Sequence, residues 1–428
     1  MAFGATRNPL SWSFRAPTIT LIIYLLILVG HTATVSAASS AFIGFPTACN
    51  RDSPAVISLS ASQTPSTTRN TMTNQAQTKP TPENPWYSDA SIGRDRNQVL
   101  KYREADWEAV GSEKARFVLQ TSNGMHYQKD SKVDNVPKPL WLTFSQLEAI
   151  FGTEKIQQAT TSDDKGNILA WAGRHEEHDY WAYYRKNLSE WEEANLQKYC
   201  SDAQVAGLRE FGDSLLSITD AAILATCNGL IEFHKTHLFC SRCGSKTRIT
   251  KAGGARKCTN DDSCGASTYP RIDVASIMLI TSQCGEFALL GRKHFWPKGR
   301  YSTLAGFAEI GETMEQCCIR ETFEESGVRV EPSSLRFVCS QPWPFPRSLM
   351  VGFRAKAAEP GLPEINIEED EMESVKWFKR DYVKERLDGG STALTFEPSE
   401  REQEFHIPGP ASLARLLITE WANESESD

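Results

Sequence analysis

The sequence predicts an α+β protein: a layered domain from residue 269 to 422, preceded by a four-cysteine clip over 237–268 and a mixed α/β region over 86–236. Three observations carry this. From Tyr269 the pattern runs through strands, one strong helix, more strands and a closing helix around PASLARLLITEWAN. Cys240, Cys243, Cys258 and Cys264 fall within 25 residues. Upstream, KARFVLQTS and NILAWAGR have the short-period apolar pattern of strands, while EHDYWAYYRKNLSEWEEANLQKYC and LSITDAAILATCNGLIEFHKTH are spaced like helices.

The 428 residues suffice for two or three domains. A net charge of -8 sets up no global basic field for nucleic acid or an anionic membrane. An anionic substrate would have to be captured locally, by metal ions and a few placed cations. Residues 1–85 read differently from the rest. Asp52 and Glu83 are their only acids, Ser and Thr abound, and Arg7, Arg15, Arg51, Arg69 and Lys79 supply positive charge. ITLIIYLLILVG, Ile19 to Gly30, is short for a membrane span. Three readings stand: an organellar transit peptide, a secretory signal or anchor, or an untargeted tail. The composition leads us to expect an organelle, the chloroplast first, with the mitochondrion or secretory pathway as alternatives and no stable membrane association after processing.

Between residues 86 and 236 there is no catalytic constellation. Trp181, Tyr184 and Trp191 read as a stripe for the core or a dimer interface, not a cofactor box. Residues 423–428 are an acidic tail.

The clip has the spacing C-x2-C, fourteen residues, C-x5-C. Paired knuckles at this separation suit a structural Zn2+ closed by four thiolates, with Gly244 and Gly265 turning the chain after each knuckle. A pair of disulfides is the alternative. A closed thiolate shell leaves no coordination position for chemistry, and the surroundings are not basic enough to suggest nucleic-acid binding.

The stretch GFAEIGETMEQCCIRETFEESGV, residues 306–328, holds six glutamates and one arginine. Gly306 and Gly311 permit a loop. Thr313 and Gln316 form a capping-box pair, and Gly327 stops the helix after Ser326. Glu321, Glu324 and Glu325, at i, i+3 and i+4, share a helical face. They repel one another unless Mg2+ or Mn2+ sits among them as hard-oxygen partner. Arg320 can fix one glutamate by a bidentate contact. Ile319 and Phe323 should bury the opposite face. An acidic solvated face is the plainer reading, but the string resembles the Nudix box, G-x5-E-x7-R-E-U-x-E-E-x-G-U. Gly306, Glu312, Arg320, Glu321, Glu324, Glu325 and Gly327 fall on its fixed positions, Val328 on the last apolar one, and Thr322 departs at another.

Further on, SQPWPFPRSLM alternates prolines with Trp343 and Phe345. Prolines cannot sit in a central strand, so this reads as a stiff loop offering aromatic faces to flat heterocycles. The motif, with the clip, the TYPR stretch and the LAGF box, resembles the NADH pyrophosphatase branch of Nudix hydrolases, most of all its plant organellar members. The resemblance implies a Nudix α/β/α sandwich as catalytic domain. It implies that Glu321 and Glu325 ligate metal, that Glu324 is another ligand or the base, and that the Ala305 carbonyl and Glu371 complete the set. Glu368, Glu369 and Glu373 compete for the Glu371 assignment. It places Tyr269, Phe307, Ala414 and the loop Gln341, Pro342, Trp343, Pro344, Phe345, Pro346, Arg347 and Ser348 at the substrate, and it implies a homodimer. The implied reaction is hydrolysis of the diphosphate of NADH, NADPH or NAD+ to AMP (or 2'-phospho-AMP) and nicotinamide mononucleotide, with two or three Mg2+ or Mn2+ per site. Removal of NAD caps from RNA and cleavage of ADP-ribose or nucleotide sugars are the catalytic alternatives, and a silent NADH sensor is the non-catalytic one. Arg271, Arg292, Lys293 and Arg347 are the cations from which a preference for NADPH could come.

Overall fold

The computed structural model describes residues 81, 85–94, 107–388 (without 134 and 164) and 405–424. Apart from Thr81 and Pro85, the targeting segment expected over 1–85 lies outside the described residues, as does the end of the acidic tail.

A short helix α1 (Trp107–Val110) precedes the first sheet. Its strands are β1 (Ala115–Thr121), β2 (Gly124–Asp130), β3 (Val136–Pro139), β4 (Trp141–Leu142), β5 (Asn167–His175), β6 (His178–Arg185) and β7 (Gln204–Ala206). They run in the order β3-β2-β1-β6-β5, with β4 on β1, β7 on β2, and β1 parallel to β6. Phe117, Leu119, Leu169, Trp181 and Tyr183 form one core with α2 (Phe144–Phe151), α3 (Thr153–Ala159) and α4 (Glu190–Tyr199). Val118, Ile168, Ala182 and Tyr184 form a second with α5 (Leu208–Phe211) and the long α6 (Ile218–Thr236). Helix α6 is the amphipathic segment expected before the cysteines.

The aromatic run is not one helix. His178–Arg185 is strand β6, and the helix starts only at Glu190, behind a capping box of Ser189 and Glu192. Burial on both faces of a strand removes the alternation that would have identified it. Trp181 and Tyr184 are core residues on opposite faces, whereas Trp191 is 57% exposed, so no stripe exists.

The cysteine segment contributes β8 (Thr247–Thr250), β9 (Ala255–Cys258) and β10 (Ser267–Thr268), antiparallel in the order β10-β9-β8. Its β8–β9 turn presses into β5. Gly253 there has φ +89°, and a Cβ would lie 2.3 Å from the Ala170 Cβ. The Gly253 carbonyl accepts from His234 Nε2 at 2.8 Å, and burial pushes that imidazole down to about 3, keeping it neutral with Nε2 protonated.

The last sheet comprises β11 (Asp273–Thr281), β12 (Phe287–Arg292), β13 (Leu304–Phe307), β14 (Arg336–Trp343), β15 (Ser348–Lys356) and β16 (Ser374–Lys379), in the order β14-β15-β11-β12-β16 with β13 on β11. Helix α7 (Met314–Ser326) covers one face, where Met278, Ile280 and Leu289 pack with Cys318. The other face buries Ile277, Leu279 and Leu290 under α9 (Leu413–Asn423), with Val383 of α8 (Arg380–Asp388) in the same cluster. This is the expected sandwich. The proline motif departs from expectation: Ser340 to Trp343 end strand β14, and only 344–347 form a turn before β15. Because β14 is the sheet edge, the N–H that Pro342 lacks costs no ladder bond. Among the described residues no helix is long and apolar enough to cross a membrane.

Replacing Gly253 by alanine forces both an unfavourable φ and a clash with β5. Gly253→Ala should lower stability by about 2–3 kcal/mol, read as a drop in Tm by scanning calorimetry.

Candidate active site and metal centres

Four thiols come together where the clip was read. The Sγ atoms of Cys240, Cys243, Cys258 and Cys264 all lie within 4.8 Å of one another, with Cys240–Cys264 at 3.7 Å and Cys243–Cys258 at 3.5 Å. A tetrahedral zinc with 2.3 Å bonds sets its sulfurs about 3.8 Å apart, so the donor set fits that ion. Gly244 (φ +74°) and Gly265 (φ +56°) turn the chain behind each knuckle. Backbone N–H groups of Arg242 and Cys243 lower the Cys240 thiol. Ser245, through its side chain and backbone, pulls Cys243 down to about 6. Both effects favour the thiolate that binds metal, whereas burial pushes the Cys258 thiol up to about 12.

The second centre is built on α7. Thr313 and Gln316 make the capping box, and Gly327 at φ +72° ends the helix. Its buried face carries Cys318, Thr322 and Ser326 together with two acids, Glu321 (8% exposed) and Glu325 (1%). The expected burial holds for Ile319, half-buried against the same core as Cys318, and fails for Phe323, which is 47% exposed and lies under the Arg329 guanidinium. Thr322 replaces a bulky apolar residue without harm because its hydroxyl donates to the Cys318 carbonyl.

The glutamates turned inward are accommodated by specific partners. Gly306 stands in strand β13, not in a loop, directly opposite Glu321; a Cβ there would fall 1.9 Å from the carboxyl carbon. The Ala305 N–H donates to Glu325 Oε2 at 3.2 Å. Arg320 grips Glu312 with two bonds, 2.8 and 2.9 Å, and reaches Glu321 at 2.9 Å, Glu324 at 2.7 Å and the Phe307 carbonyl at 2.9 Å. The bidentate partner is therefore Glu312, which the guanidinium holds down at about 2. Burial raises Glu321 and pushes Glu325 up to about 7. Glu324 sits outside them, 47% exposed along its side chain.

Of the four candidates in IEEDEMES, Glu371 joins this group, since Lys293 Nζ lies 2.8 Å from it and 3.1 Å from Glu325. Glu373 instead pairs with Arg292, and the Glu368 carbonyl closes a turn on Glu371 and Met372. Buried oxygens, a side chain accommodated by a missing Cβ, and carboxylates converging from two elements suit hard divalent ions. Glu321, Glu325, Glu371 and the Ala305 carbonyl are the groups that could hold them.

Tyr269 (53% exposed) and Phe307 (57%) stand open, and Phe307 lines a cleft of 480 Å³ with Ile272, Asp273, Val274 and Ala308. Lys251 Nζ is 2.6 Å from the Tyr269 hydroxyl. The proline turn is less open than its sequence suggests. Trp343 and Phe345 meet edge-on at 5.1 Å and both pack against Tyr87, while Asn228 donates to the Pro344 carbonyl at 2.7 Å. Gln341 is buried, donating to the carbonyls of Trp86 and Ala411 and accepting from Leu413 N–H. Ser348 and Ala414 are buried too. Among the four cations, Arg292 is buried against Glu373, Lys293 is engaged with Glu325 and Glu371, and Arg271 and Arg347 share Asp273. The residue patterns alone missed the double role of Lys293 and the steric one of Gly306, because both depend on partners far along the chain.

Residues 270–395 match the NUDIX domain, and residues 235–269 match the NADH pyrophosphatase zinc ribbon domain. The chain thus carries a NUDIX domain directly behind a zinc ribbon of the NADH pyrophosphatase type. Among curated relatives, the human NAD-capped RNA hydrolase NUDT12 is 35% identical over 47% of this chain and 42% of its own. Nudix hydrolase 19, chloroplastic, of Arabidopsis thaliana is 34% identical over 50% of this chain and 54% of its own. The human NAD(P)H pyrophosphatase NUDT13, mitochondrial, is 36% identical over 49% and 57%. The chain thus spans about half the length of these Nudix relatives.

Purified chain should contain one zinc by atomic emission, and Cys258→Ser should contain none and melt at lower temperature. Gly306→Ala, by displacing the Glu321 carboxylate, should abolish tight Mn2+ uptake in calorimetric titration while leaving the zinc in place.

Proposed function

We propose that the chain is a divalent-metal-dependent pyrophosphatase that hydrolyses the diphosphate of NADH, NADPH and NAD+, releasing AMP or 2'-phospho-AMP and nicotinamide mononucleotide. One observation carries the reading: Glu321 and Glu325 are buried against Gly306 and Ala305, where only cations make such carboxylates tolerable. Mg2+ or Mn2+ bound there would neutralise charge on the diphosphate and acidify the attacking water. Glu321, Glu325, Glu371 and the Ala305 carbonyl would hold and orient the ions. Glu324, at the exposed edge and steered by Arg320, takes the proton of the water that attacks phosphorus. Tyr269 and Phe307 offer stacking faces for the base, with the loop from Gln341 to Ser348 and Ala414 framing the site. Zinc in the ribbon holds the fold and takes no part in the chemistry.

The relatives' activities, NAD(P)H pyrophosphatase and NAD-capped RNA hydrolase, both act on this dinucleotide. The exposed Phe307 ring at an open cleft supports cap removal as the second reading. We further propose a homodimer, and an organellar address, the chloroplast first, consistent with the basic, Ser/Thr-rich leader and the chloroplastic and mitochondrial relatives.

With Mg2+ or Mn2+, NADH, NADPH, NAD+, ADP-ribose and NAD-capped RNA are offered in turn and AMP release is followed by chromatography. Turnover of the reduced dinucleotides is expected, whereas binding without turnover of any would identify a sensor. Glu325→Gln should lower kcat by about 10²–10³ while the ribbon keeps its zinc. Residues 1–85 fused to a fluorescent reporter should carry it to an organelle.

A further inference from the structure

Lys293 follows the end of β12, and its ammonium lies between acids of two different elements. Nζ is 3.1 Å from Glu325 Oε1 on α7 and 2.8 Å from Glu371 Oε1 in the segment before β16. The Lys293 side chain is 23% exposed and that of Glu325 is fully buried. Glu325 Oε1 makes no hydrogen bond among the described residues, so Lys293 meets it as a charge and not as an aligned donor. Its other oxygen is committed to the Ala305 N–H. The ammonium therefore stands where one cation serves both carboxylates.

A divalent ion shared by Glu325 and Glu371 would need oxygens about 2.1 Å away. It would lie in the space Nζ fills, and two cations that close repel strongly when poorly hydrated. We propose that Lys293 is a built-in competitor for the divalent ion at the Glu325–Glu371 pair. It neutralises the pair when no ion is bound, and it must leave before an ion can bridge them. The inference rests on Glu325 and Glu371 being ligands, as proposed above. Lys293 thereby raises the free ion concentration at which the site fills, and it prevents the two acids from repelling each other meanwhile. Its long aliphatic stem gives the ammonium a route towards solvent, so its departure requires no backbone movement.

The test is Mn2+ binding to the full-length protein without nucleotide, by calorimetry and by the spin resonance of free Mn2+. Lys293→Met should bind roughly five- to tenfold more tightly than wild type. Lys293→Arg, which keeps the charge, should stay within about twofold of wild type. In buffer stripped of divalent ions other than the ribbon zinc, Lys293→Met should melt below wild type, and Mg2+ should close that gap. If the Met variant does not stay folded, Lys293→Gln is titrated in its place. Unchanged or weaker Mn2+ affinity on removing the charge, with wild type binding normally, overturns the competitor alone. Mn2+ uptake absent from wild type and variants alike overturns the ligand assignment, and the competitor with it.

Discussion

The arrangement depends on two carboxylates that face the wrong way for an ordinary surface helix. Glu321 and Glu325 share the buried face of α7 with Cys318 and Thr322, and burying such groups without cations costs several kcal/mol each. The surrounding structure meets that constraint at each point. Gly306 yields the space of a side chain, and Arg320 collects Glu312, Glu321 and Glu324 on one planar guanidinium. Lys293 does the same for Glu325 and Glu371. Strand β13 is held on β11 in a register that brings Gly306 opposite Ser276 and keeps the Ala305 N–H pointed at Glu325. The sheet thus serves as a rigid backing that fixes acids which would otherwise move apart.

Much of this was legible because it is local. The caps of α7, its C-terminal glycine and the cysteine knuckles are set by residues within a few positions of one another, and the structure reproduces them. The burial direction of α7 was not legible. A pattern of apolar residues points to Ile319 and Phe323, yet only Ile319 reaches the core, and the helix seats small and acidic residues beside it, because the adjoining strand has a glycine to receive them. Strand β6 was obscured by packing on both faces, which makes consecutive residues equally apolar. The assignment of Glu371 among its acidic neighbours waited on Lys293, some eighty residues earlier in the chain, whose position no spacing rule could reveal.

The proline motif shows the same limit. Its composition identifies a stiff connection, but what the aromatics touch is decided by the first sheet's surroundings, where Tyr87, Arg209 and Asn228 meet them. Gln341, which looks like a free end of the motif, spends its whole amide on backbone groups at Trp86, Ala411 and Leu413.

That single amide ties Gln341 to Trp86, 255 positions earlier, and to Leu413, 72 positions later. The hairpin bearing Trp343 is therefore moored on both sides, by Trp86 and by the helix that begins at Leu413. Trp86 and Tyr87 in this sense buttress the turn that carries Trp343 and Phe345, and a shortened protein beginning at the ribbon would carry every acid of the Nudix box yet lack the surface that shapes its aromatic turn.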